Sequence, residues 1–146
     1  MRNEEYYEKV RYKYPMLTRT MYVNLYYMNT IVYSICTDDN NSYSGAIRDS
    51  YDLDAIAALL EADGNKTTEV VVDILRKEHH YREEQIDKFF DLLIRYEGIF
   101  IEFRDAMCDS EDIDVRTMVQ NNKVHYINLR MDKVVRGRSD EYKELV

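Results

Sequence analysis

Two stretches decide the fold: residues 53–76, LDAIAALLEADGNKTTEVVVDILR, and residues 83–103, EEQIDKFFDLLIRYEGIFIEF. In the first, Leu53, Ile56, Ala57 and Leu60 share one face at helical spacing, which predicts a short helix over about 52–62. DGNKTT then gives a turn and a Thr near an N-cap position. The next helix is expected at 68–79, burying Val70, Val71, Ile74 and Leu75. A longer one, about 82–97, is expected to bury Ile86, Phe89, Phe90, Leu93 and Ile94. Glu97-Gly98 permits a stop, after which IFIEF at 99–103 reads as a strand or as more helix.

Outward from this core, residues 3–14 read as a helix with Tyr6, Tyr7, Val10 and Tyr14 on one face, an i,i+4 pair of Glu5 with Lys9, and Pro15 as its stop. Residues 16–36 are ambiguous. Their Tyr, Val, Thr and Ile content suggests strand. Their apolar positions, Leu17, Met21, Leu25, Met28, Val32 and Ile35, step by threes and fours and predict a helix. TDDNNSYSG at 37–45 is a loop, and Asn121-Asn122 between alternating segments predicts a β-hairpin at about 114–131. The expected fold class is therefore mainly α with a small β-hairpin, an α+β domain spanning 1–146. It divides into a Tyr-rich helical part (1–36, two helices), a helical core plus hairpin (46–131) and a charged tail (132–146), with a short helix or frayed end over about 133–146.

The order short helix, helix, longer helix, strand, hairpin resembles a winged helix-turn-helix domain over about half the chain. The resemblance is one of pattern and points to no specific family. It implies that the third helix is the one set in a DNA major groove. That helix would expose Arg82, Glu83, Glu84, Asp87, Lys88, Asp91 and Arg95, and four acids against three bases make a poor groove reader. Arg116, Lys123, Arg130, Lys133, Arg136 and Arg138 on the hairpin and tail are the residues that would touch phosphate in a DNA-binding alternative.

Charge separates the function classes. Residues 37–112 hold 20 of the 28 acids but only 8 of the 20 bases, a net of −12, while the segments on either side are each +2. An acidic middle repels nucleic acid and favours a basic protein partner. The expected contacts are Glu83, Glu84, Asp87 and Asp91 along one helix, with Asp38 and Asp39 in the loop, the carboxylates standing in for phosphates. Reversing Glu84 and Asp87 to Lys is expected to abolish binding and leave the fold intact. Eight of the 14 tyrosines lie in the first 33 residues, more than two helices can bury on an inward stripe. Tyr7, Tyr14, Tyr22, Tyr26 and Tyr33 are candidates for a homodimer or partner surface, with core packing as the equal alternative.

Other constellations are weak. Adjacent His79 and His80, with Glu83 and Glu84, point about 100° apart on a helix and cannot share a metal, and nothing requires His125 to approach them. Asp38, Asn40, Ser42 and Asp49 approximate a calcium loop, but Tyr43 replaces the turn Gly and the last position lacks Glu. With four Gly and neither a phosphate-loop motif nor a nucleophile motif, no cofactor, metal or catalytic activity is expected. Cys36 and Cys108 read as reduced, buried thiols. MRNEEYYEKVRYKY lacks the apolar core of a secretory signal, and Met21–Cys36 is too short to span a membrane. The sequence thus predicts a cytoplasmic, non-enzymatic interaction protein, of the kind that phages, viruses or mobile elements use to modulate a host protein.

Overall fold

The computed structural model describes residues 1–19, 21–27, 30–36, 42–107 and 124–127. In chain order the elements are α1 (Glu4–Val10), β1 (Tyr14–Leu17), β2 (Met21–Tyr27), β3 (Thr30–Cys36) and β4 (Ser42–Ile47). They continue with α2 (Ser50–Ala58, extended by a 3-10 turn at Leu59–Glu61), α3 (Thr68–Lys77), α4 (Glu83–Tyr96), β5 (Ile101–Arg104) and β6 (Val124–Ile127). The fold is α+β.

The three central helices form where their caps and apolar spacing place them. Asp49 caps α2 by accepting from the Asp52 amide at 2.9 Å, and Thr67 caps α3 by accepting from the Val70 amide at 3.3 Å. At the start of α4 the Gln85 side chain accepts from the Arg82 amide at 2.6 Å. Gly98, at φ 81°, supplies the left-handed turn that carries the chain from α4 towards β5.

The buried faces of α2 and α3 are turned from those expected, while α4 buries Ile86, Phe89, Phe90 and Leu93 as expected. On α3 the inward stripe is Thr68, Val71, Val72 and Leu75, leaving Val70 43% exposed. Thr68 can lie inside because its hydroxyl donates to the Lys13 carbonyl at 3.1 Å. On α2 the buried residues are Ala55, Ile56 and Ala58, and Leu60 is exposed. On α4 Tyr96 replaces Ile94 as the last buried ring.

The larger corrections lie at the ends. Where the sequence predicts a second N-terminal helix, over 16–36, the described residues form the end of β1 and then β2 and β3. β2 and β3 are antiparallel, with Met21 opposite Ile35 and Val23 opposite Tyr33. Met21 and Val23 are buried while Tyr22 between them is only half-buried, the period of two that a sheet requires. The sheet order is β4-β3-β2-β6. A separate two-stranded sheet pairs β1 with β5 antiparallel, so Pro15 lies within a strand and the first helix ends earlier than expected, at Val10. Within the span of the expected hairpin, β6 is described, and it pairs in parallel with β2 (Met21 with Val124, Asn24 with Ile127). The first strand of that hairpin and the charged tail lie outside the described residues. The core is continuous from Val10 through β1 and β2 to Phe89, Phe90, Leu93 and Phe100.

Candidate functional site

The acids expected to form one face on α4 have separate employments. Asp87 is buried, at 9% exposure. Its two carboxylate oxygens accept the backbone amides of Arg2 and Asn3, each at 3.0 Å. The Asn3 side chain returns the contact, donating to the Asp87 carbonyl at 3.1 Å and to Asp91 at 3.0 Å. Asp91 also pairs with the Arg2 guanidinium. Asp87 and Asp91 therefore fasten the start of the chain onto α4. A partner contact through Asp87 is not available to a carboxylate already filled by two amides. Charge reversal at Asp87 would disturb the fold rather than leave it intact. Glu83 is exposed but bound by Arg76 at 2.9 Å and 3.0 Å. Glu84 is exposed and has no ion-pair partner among the described residues. Asp38 and Asp39 lie outside them.

The same pattern holds elsewhere in the middle segment. Lys88 donates to Asp52 at 2.9 Å and stands 4.0 Å from Asp49, joining α4 to the start of α2. Burial raises the Asp52 pKa, but the bonds from Lys88 and from the Arg48 amide outweigh it and hold the carboxyl below its ordinary range. The hydrogen bond to Asp52 pushes the Lys88 pKa up. Lys66 is shared by Glu61 and Asp63, and Arg11 is bound to Glu69. The acids left without a described ion-pair or hydrogen-bond partner, Glu4, Glu5, Glu78, Glu84 and Glu102, sit on α1, around the α3–α4 turn and on β5.

The tyrosines separate in a similar way. Tyr33 is buried, at 4% exposure, with its hydroxyl 2.6 Å from that of Tyr96. It is a core residue and cannot be part of a dimer surface as it stands. Gly45 on β4 lies against its ring, and a Cβ there would come within 2.5 Å of the Tyr33 hydroxyl. Tyr7 is half-buried, edge-on to Phe90 at 5.7 Å, and Tyr6 donates to Glu97 at 2.9 Å. Tyr14 lies on β1 opposite Arg104, and Tyr22 on β2 opposite Ser34, both half-buried. Tyr26 is on β2. Tyr12, not among the candidates, is the most exposed large apolar side chain described, at 69%, with the Arg11 guanidinium 5.2 Å from its ring centre.

His79 lies 3.6 Å from Glu61, His80 occupies a left-handed turn at φ 57°, and His125 is on β6 opposite Tyr22, so the three histidines are not brought together. Among the described residues no group of three or more His, Cys, Asp or Glu side chains could hold a metal. Asp49, the last position of the calcium-loop pattern, is the α2 cap. Of the basic candidates, Arg116, Lys123, Arg130, Lys133, Arg136 and Arg138 all lie outside the described residues. No described helix is long and apolar enough to cross a membrane. The sequence reading missed the anchoring role of Asp87. The only signal for it was an apolar stripe on α4 interrupted by an acid. No family model matches the chain, and comparison with curated proteins and with solved structures yields no match.

Proposed function

We propose that the protein is a non-enzymatic interaction module that binds a protein partner through that partner's basic surface. The observation that supports this is charge. The chain carries −8. Exposed Glu78 and Glu84, on either side of the α3–α4 turn, have no described partner and are the contact residues we assign. They replace the helical stripe through Asp87 and Asp91. Binding of this kind weakens with added salt, because exposed charges are screened over about 8 Å at physiological ionic strength. The test is capture of partners from the native host by wild type and by a Glu78→Lys, Glu84→Lys double variant, at low and high salt. A protein retained by wild type at low salt, and lost both at high salt and with the variant, supports the reading. A captured set indifferent to the charge reversal removes it.

A further inference from the structure

A cavity of about 350 Å³ opens between β4, α2 and α4. That is within the size range of small-molecule sites. Residues 45–47 of β4 form one wall, and Ile56, Leu92 and the Tyr33 ring supply apolar surface. Arg48, Lys88 and Arg95 also line it, three cations in a chain whose net charge is −8. Their situations differ. Lys88 is held by Asp52, and the other lining carboxylate, Asp91, is held by Arg2. Arg48 and Arg95 have no carboxylate partner among the described residues, although Arg2, Arg11, Lys13, Lys66 and Arg76 all have one. Arg95 instead bonds the hydroxyls of Tyr33 and Tyr96, which are bonded to each other.

Acids outnumber bases 28 to 20, so pairing is the default for a guanidinium here. The two carboxylates that line the cavity, Asp52 and Asp91, are ion-paired with Lys88 and Arg2, so Arg48 and Arg95 are left without an ion pair there and a doubly charged oxyanion would supply one. Their planar forks suit phosphate oxygens. The apolar wall beside them suits an organic group on the phosphate. The geometry points to a small organic phosphomonoester as the ligand of this cavity, held by Arg48 and Arg95 with its organic part against Ile56 and Leu92. This site is independent of the surface around Glu78 and Glu84.

The test is calorimetric titration at low ionic strength with phenyl phosphate, inorganic phosphate and phenol, each on the full chain. Phenyl phosphate should bind saturably, inorganic phosphate more weakly and phenol not at all. Arg48→Ala and Arg95→Ala should each weaken phenyl phosphate by about tenfold or more, the scale of one lost charge-assisted contact, while Arg82→Ala leaves it unchanged. Thermal melts check that each variant is folded, and Arg48→Ala, at an exposed position, keeps the test open if Arg95→Ala is not. No saturable binding of phenyl phosphate, or an affinity unchanged in Arg48→Ala, would overturn the proposal. Equal binding of inorganic phosphate would overturn its organic part.

Discussion

Replacing Asp87 by Ala should release the first residues of the chain and cost stability, not binding. The carboxylate accepts two backbone amides, from Arg2 and Asn3, at 3.0 Å each, and is 9% exposed. A hydrogen bond to a charged group contributes roughly 1.5–3 kcal/mol. The two amides stand at the chain start and regain water when released, which offsets part of the loss. The net expectation is about 2–3 kcal/mol, with Asp87→Asn costing less because it keeps one acceptor. Equilibrium urea unfolding followed by circular dichroism measures it. A double-mutant cycle with Asn3→Ala should be non-additive, because Asp87→Ala removes the acceptor of the Arg2 and Asn3 amides and Asn3→Ala removes the side-chain bonds to the Asp87 carbonyl and Asp91, so both release the same segment from α4. Hydrogen exchange should also speed up in α1, which loses its anchor. A cost below about 0.5 kcal/mol, the usual level for a surface substitution, would refute the structural role and return Asp87 to the list of contact residues.

Gly45→Ala should cost about 1–3 kcal/mol in the same assay, because its Cβ would meet the Tyr33 ring, which is buried and tied to Tyr96. Thr68→Val should cost about 1 kcal/mol, from loss of the buried hydroxyl bond to the Lys13 carbonyl. At alkaline pH, burial and then the Tyr33 hydroxyl, opposed by Arg95, push the Tyr96 pKa up to about 12. The unfolded chain ionises this group first. Stability should therefore be intact below pH 10 and fall as pH rises towards 12, and Tyr96→Phe should flatten that slope. At acid pH the sign is opposite. The depressed Asp52 carboxyl contributes fully above its unfolded pKa of about 3.9 and loses its contribution as pH falls through the folded value, a dependence that Asp52→Asn should remove.

The central helices were legible because caps and apolar spacing agree there. Thr67 and Gly98 mark boundaries in the sequence as clearly as in the structure, while the Asp49 cap of α2 shows only in the structure. Their inward phase was less legible. The run Val70-Val71-Val72 fits several helical phases, and the choice is made by Thr68, whose burial depends on a carbonyl 55 residues away. In residues 16–36 the spacing itself misled. A step of four keeps a residue on one helical face but also on one strand face, since four is even. Leu17, Met21 and Leu25 therefore do not distinguish the two. β-branched and aromatic content was the better guide, because nothing in a three-four pattern opposes a strand until a step of three breaks parity. The parallel pairing of β6 with β2 joins residues about a hundred positions apart and leaves no local trace.

The acids show why a charge run is a poor map of a surface. Net charge is fixed by composition, but each carboxylate's partner is fixed by the fold. Asp87 meets residues 2 and 3, and Asp91 meets the same two, at sequence separations of 84 to 89. No spacing rule on α4 could display this, because the partners arrive from another element. The consequence runs in both directions. Acids that seemed free are bound, so the candidate contact contracts to the α3–α4 turn. Their partners are most of the described cations, and two that remain without a carboxylate, Arg48 and Arg95, lie in one cavity. In an acidic protein, the informative charge is the base that has been left unpaired.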